Sequence, residues 1–265
     1  MNALELSLVI PTYNERENIA RLVPAVADAL HGLSYEIVIV DDRSPDGTGA
    51  LAQALCDAGY PVRLVTKERK EGIGAALRVG YDESRGKVIA SMDADLSFDP
   101  WDLLRLYARI REGYHLVVGS RHIAGSVYEA SNRQIWIKRF VSRLGNRIVR
   151  TITGIPIGDF SANFRFMRRE TWHAIATTEK TNALLFEMIL LAYVRGYAVS
   201  EVPVAFHDRR FGGSKLRLTR EIPKFLRAFA RHVWRHHAAL RDRRGMSATL
   251  KATEAVVVRT VPKES

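Results

Sequence analysis

The chain has 265 residues, 47% of them apolar, a formal net charge of +11 and one cysteine. That length allows one large domain or two small ones with a sizeable core, and the composition excludes a disordered or fibrous chain. One cysteine excludes an internal disulfide framework, and the charge calls for an anionic partner: nucleic acid, a membrane surface or a phosphorylated substrate.

In chain order, Leu6 to Ile10 is a short apolar run closed by Pro11 and predicts a first strand. Asn14 and Glu17 predict a helix start, Asn as cap and Glu reaching back. Ile19, Leu22, Val23, Val26 and Leu30 then share one helical face. Ile37 to Val40 reads as the second strand. Asp46 is placed to cap a helix from Thr48 to Ala58, within which Cys56 is expected to be a plain core residue. Strand Val62 to Val65, helix Gly74 to Ser84 and strand Val88 to Ser91 follow. Continuously apolar strands separated by amphipathic helices predict an α/β fold, its mostly parallel sheet covered on both faces. Right-handed crossovers make it doubly wound, and ligands of such sheets bind beyond the carboxyl ends of the strands. Those ends carry Thr12 to Glu15, Asp41-Asp42 and Asp93-Ala94-Asp95.

Beyond residue 100 the alternation loosens. The pattern predicts a helix from Trp101 to Glu112, a strand from Leu116 to Ser120 and a loop from Ala124 to Arg133. A basic helix from Ile135 to Thr153, a strand from Phe164 to Met167 and a helix from Asn182 to Arg195 come next. A last strand runs from Val199 to Phe206. The longest apolar run, Met188 to Val194, is far short of the ~20 residues a spanning helix needs. The N-terminus lacks signal-peptide regions, so the expectation is a cytoplasmic chain, soluble or peripheral.

The charge is local. From His207 to Gly245 there are twelve Lys or Arg against three acids. Leu218, Ile222, Phe225, Leu226, Phe229, Val233 and Trp234 fall at helical spacing, with Lys224, Arg227, Arg231 and Arg235 on the other face. Such a helix lies in a membrane interface drawn to anionic lipid, or packs its apolar side on the domain. The expectation is membrane contact. No zinc spacing, ribonucleoprotein signature or helix-turn-helix pattern supports nucleic acid. The division expected is a catalytic domain over 1–217, the basic amphipathic helix over 218–245 and a flexible tail over 246–265.

Asp93 and Asp95 in a tight turn after a strand offer oxygen ligands suited to Mg²⁺ or Mn²⁺, with substrate phosphate completing the shell. The alternative is that they cap the next helix. No Walker-type loop occurs, and Gly72-Ile73-Gly74 lacks the third glycine of a dinucleotide fingerprint.

Ser7 to Glu15, Val38 to Thr48 and Met92 to Ser97, with Val118 to Arg121 and Asp208 to Leu216, resemble family 2 glycosyltransferases. Among these the likeness is to the dolichyl-phosphate (polyprenyl-phosphate) mannose synthases. The resemblance implies a glycosyltransferase A fold and inverting transfer of a hexose, mannose from GDP-mannose, to a polyprenyl phosphate. The alternatives are UDP-glucose or UDP-GlcNAc as donor, a hydroxyl acceptor, or a basic binding protein without catalysis. By position, Pro11, Tyr13, Glu15 and Asp42 would cradle the nucleoside. Asp93 and Ala94 would lie by ribose and diphosphate. Asp95 and Ser97 match the metal ligands, and Arg121, Arg209 and Lys215 the phosphate-binding residues. Lys138 stands where the family often has Arg, with Arg139 beside it, and Ser142 matches a family serine. Asp159 also matches, but Ala162-Asn163 replaces the usual Ser-Gly. Glu187, on a predicted helix, is read either as a base near the site or as a structural acid.

Overall fold

A computed structural model of the chain describes residues 4–128, 133–207 and 218–245; for 133–135, 137–138 and 218–221 it describes the backbone alone. The expected run at Leu6 extends two residues further than Pro11 suggests, giving β1 (Leu6–Thr12) between β2 (Tyr35–Asp41) and β4 (Val88–Ser91). Val9 turns its polar groups toward β4, because its carbonyl accepts the Met92 amide. Pro11, two residues on, faces the same side, past the last paired residue of β4. Its missing N–H therefore costs no ladder bond, which is why proline is tolerated in a central strand here.

The main sheet has the order β3-β2-β1-β4-β7-β5-β8, with β3 (Val62–Thr66), β5 (Leu116–Ser120), β7 (Arg165–Arg168) and β8 (Val199–Pro203). β7 is antiparallel to both neighbours; the other pairings are parallel. Helices α1 (Arg16–Ala29), α2 (Thr48–Asp57), α3 (Ile73–Glu83) and α4 (Asp102–Arg111) fall within one or two residues of the periodicity. The strand order reverses between β1 and β4, the place where such sheets open a ligand crevice.

The structure corrects several expectations. Asn14 does not cap α1; it adopts a left-handed backbone (φ 54°), and the Arg16 amide donates to the Asp46 carboxylate instead. The same carboxylate accepts the Thr48 amide at the start of α2. Cys56 is exposed, because α2 buries only Thr48 and Ala52. The expected loop after β5 contains β6 (Val127–Tyr128), which pairs with β9 (Ala205–Phe206) in a second sheet. The single last strand is thus two short ones. A helix absent from the sequence reading, α6 (Arg169–Ile175), precedes α7 (Leu184–Val194).

α5 (Arg133–Thr153) lies on the surface, and α8 (Leu218–Arg235) packs partly on the core. Phe225 and Phe229 of α8 meet Phe186, and Ala228 and His232 are buried. Leu226 and Trp234 remain 56% and 80% exposed. A further helical stretch covers residues 237–245. No helix among the described residues is long and apolar enough to cross a membrane. Residues 246–265 lie outside the described residues.

Candidate active site

Three loops at the carboxyl edge of the sheet share one backbone feature. Asn14, Arg43 and Leu96 all have positive φ, three of the four non-glycine residues that do so among the described ones. Such conformations cost free energy and are held by their surroundings. At Leu96 (φ 58°) the chain doubles back, so that Ser97 donates to the Asp95 carboxylate from its amide at 3.1 Å and its hydroxyl at 2.5 Å. Both residues are buried. The capping alternative fails: α4 starts at Asp102, and the amide of its capping residue Trp101 is taken by Asp99.

Asp93 is held from the antiparallel strand. Its carboxylate accepts the Asn163 amide nitrogen at 3.0 Å, and Asn163 Oδ1 accepts the Ser91 hydroxyl at 2.8 Å. Because β7 runs backwards, the residues before it, not after it, reach this edge. That is why Asn163 and Asp159 escaped a rule based on strand ends. Asn163, a departure from the family pattern, bonds the acid it adjoins.

Asp159 is fully buried and accepts Arg121 Nε at 2.7 Å and Nη2 at 3.0 Å. Burial alone raises its pKa, but the Arg121 guanidinium outweighs this and holds the carboxyl well below its ordinary value. Arg121 in turn is raised: burial works against its charge, and Asp159, with lesser help from Tyr128 and Asp93, outweighs that. The Arg121 guanidinium lies 5.3 Å from the Phe206 ring centre, and Phe206 packs on Phe98 just past the acidic turn. Arg139 stacks on Tyr128 with its guanidinium 4.6 Å from the ring centre, and Tyr128 in turn stacks on Phe206 at 5.0 Å. The Ser142 hydroxyl lies 3.1 Å from His122 Nε2.

On the nucleoside side, Thr12 bonds Asp41, the Glu15 amide donates to Thr48, and Pro11 and Tyr13 are half-buried beside them. Asp42 is buried and accepts Lys67 Nζ at 2.8 Å. Lys70 Nζ stands 3.3 Å over the Tyr13 ring. Neither lysine stood out in the sequence, since 67–71 reads as an ordinary charge run. His207 was also missed: its amide donates to the Ser97 carbonyl, so β9 ends beside the Asp95 turn.

Glu187 is not a base at this edge. It is buried, accepts the Thr178 and Glu179 amides, and lies 3.8 Å from His232. Arg209 and Lys215 lie outside the described residues, as does the side chain of Lys138.

An all-oxygen donor set of Asp93, Asp95 and Ser97 fits a hard divalent cation. The sequence profile of Glycosyl transferase family 2 matches residues 7–174. The chain belongs to glycosyltransferase family 2. It is 37% identical to the polyprenol monophosphomannose synthase of Mycolicibacterium smegmatis over 79% of this chain and 80% of that one. It is 34% identical to the dolichol-phosphate mannosyltransferase of Pyrococcus furiosus over 88% of this chain, and spans 63% of that protein's length. An undecaprenyl-phosphate 4-deoxy-4-formamido-L-arabinose transferase of an Enterobacter species is 33% identical over 82% of the chain, which spans 64% of it. Among solved structures, glucosyl-3-phosphoglycerate synthase of Mycobacterium tuberculosis superposes with a TM-score of 0.66 at 18% identity, covering 86% of this chain and 80% of that one. A complex of the same enzyme with Mn²⁺, UDP and phosphoglyceric acid gives 0.65, covering 87% and 77%. This family 2 member thus has the glycosyltransferase A fold.

Proposed function

We propose that this family 2 enzyme transfers mannose from GDP-mannose to a polyprenyl phosphate, with inversion, at a membrane surface. The observation that carries the reading is Arg121, locked on Asp159 with its guanidinium 5.3 Å from the Phe206 ring centre, one residue before the His207 amide that bonds the Ser97 carbonyl. A fixed guanidinium on that side of the acidic turn supports the approach of a second phosphate. The two relatives named as mannose synthases support the acceptor and the sugar.

In this reading the acceptor phosphate monoester, with a second pKa near 6, is largely dianionic at neutral pH and attacks without a general base. One of its oxygens bonds the anomeric carbon while the bond from that carbon to the diphosphate breaks. The electron pair leaves with the nucleoside diphosphate. Arg121 and Arg139, with Lys138, screen the repulsion between the two phosphates. Arg209 and Lys215 bind the donor phosphates. Asp95 and Ser97 would hold Mg²⁺ or Mn²⁺, with Asp93 beside them; bound there, the cation neutralises charge on the departing diphosphate.

The Asp42–Lys67 pair favours guanine. Guanine offers two adjacent N–H donors and a carbonyl acceptor, which match a carboxylate beside an ammonium. Uracil offers one donor between two acceptors and uses one carboxylate oxygen. The UDP-sugar alternative keeps the same acceptor chemistry.

Membrane contact is supported more by α5 than by the expected helix α8. Trp136, Phe140, Leu144, Ile148 and Ile152 are 44–67% exposed at four-residue spacing, forming one stripe. Arg139, Arg143 and Arg147 lie close by on the same helix, the composition of an interfacial helix. Thermal denaturation tests the donor site. GDP with Mn²⁺ is expected to raise the melting temperature, and Asp95→Ala to abolish that rise. An unchanged rise in the variant overturns the metal assignment.

A further inference from the structure

Three exposed arginines of α5, two of them already named for membrane contact, also share a second feature. Arg143, Arg147 and Arg150 border an open cavity of about 600 Å³, lined also by His122, Asn146, Tyr193 and the turn 154–158. Among the described residues, none of these three arginines donates a hydrogen bond or joins an ion pair. The carboxylates behind the cavity are already engaged: Asp159 by Arg121, and Glu201 by the Gly158 amide at 2.8 Å. Arg150 still feels Glu201, and the charge facing the cavity is net positive.

Two buried polar atoms here are orphaned, which native structures rarely allow without a partner. His122, with its side chain only 4% exposed, bonds Ser142 through Nε2 and leaves Nδ1 with no partner. Arg243, stacked 5.0 Å over the Tyr193 ring, leaves Nε with no partner. Next to it, Arg244 ties the terminal helical stretch to the end of α5 through the Thr153 carbonyl at 3.1 Å. A cavity of similar size at the opposite sheet edge, by Glu5, Lys87 and Arg168, mixes acids with cations and has no orphaned atom.

We propose that the α5–α7 cavity binds a phosphate group in addition to the donor and acceptor phosphates around Asp93 and Arg121, adjoining the acceptor side through the His122–Ser142 contact. Arginine forks suit phosphate oxygens, and His122 Nδ1 carries the ring proton when Ser142, whose oxygen accepts Asn146 Nδ2, donates its hydroxyl to Nε2. The group arrives on a lipid headgroup or as free phosphate; the apolar stripe of α5 lies on the same helix. The site does not depend on the glycosyl transfer reading.

The test uses the full chain and the variant Arg150→Ala; Arg150 lines the cavity, is exposed and is not one of the arginines assigned to the membrane face of α5, so folding and that face are preserved. Inorganic phosphate is titrated calorimetrically at constant ionic strength, with the His122 ring resonances followed by NMR. In parallel, the protein is sedimented with phosphatidylcholine vesicles with and without phosphatidylglycerol. Saturable phosphate binding that moves the His122 signals, weakened roughly tenfold or more in the variant, is the expected result. If binding to phosphatidylglycerol vesicles weakens in parallel, the source is a lipid headgroup; if vesicle binding is unchanged, it is free phosphate. Phosphate and vesicle binding that are both absent, or both equal in the two proteins, overturn the site. Melting-temperature shifts with GDP and Mn²⁺ are expected to be equal in the two proteins, which separates failure here from failure of the donor reading.

Discussion

Asp42 and Asp159 are both buried carboxylates with a basic partner, yet their consequences differ. If Asp42 reads guanine, Asp42→Asn places an amide NH₂ against two guanine donors, while an amide still satisfies uracil. GDP affinity is expected to fall about tenfold or more, and UDP affinity to change little, since a buried unpaired donor costs about 1–3 kcal/mol. Titration of both nucleotides checks it; equal losses contradict the base assignment. Asp159 is a matter of stability. Its folded pKa lies below the unfolded value of about 3.9, so its contribution is complete above that value and is lost as pH falls below it. Asp159→Asn leaves Arg121 without its partner and is expected to cost about 3 kcal/mol at pH 7. Urea melts should show that gap closing as pH drops below about 4; a gap that widens in acid contradicts the linkage. At this scale the acidic strand ends were readable from sequence, because apolar runs end abruptly in Asp41-Asp42 and Asp93-Ala94-Asp95. Asn163, Lys67 and His122 were not. Their roles come from partners 70, 25 and 20 residues away in the chain.

Among the elements, the parallel half was readable nearly to the residue, since strands buried on both faces are continuously apolar. Reversal of β7 was not, because Arg165–Arg168 carries no directional signal; it is set by where α5 and the Asp159 loop deliver the chain. α5 is the basic helix expected over Ile135 to Thr153, beginning two residues earlier. Its sequence shows helical periodicity and basic charge, but periodicity does not say whether the apolar stripe meets protein or solvent. In the structure Phe140 and Leu144 are 67% and 49% exposed. Replacing both by Ser is expected to shift stability by no more than about 0.5 kcal/mol. Burying each such side chain in a bilayer is worth about 1.5–3 kcal/mol, so vesicle affinity should fall at least tenfold. Co-sedimentation measures it; undiminished binding assigns membrane contact elsewhere, with Leu226 and Trp234 of α8 next to examine.

For the molecule as a whole, the charge divides the labour. The acidic turn after β4 sits at the strand-order switch and Arg121 follows β5, two strands further on, while α5 and α8 carry cations and exposed apolar side chains outside them. Under the proposed function, that arrangement would let a chain without a spanning helix among its described residues meet a donor from water and an acceptor from a membrane. The most direct measurement is transfer itself: the full chain with Mn²⁺, radiolabelled GDP-mannose and a polyprenyl phosphate. The account predicts a labelled lipid whose sugar is released by mild acid, as a glycosyl phosphate is. No lipid product with GDP-mannose, UDP-glucose or UDP-GlcNAc, or an acid-stable one, would contradict it.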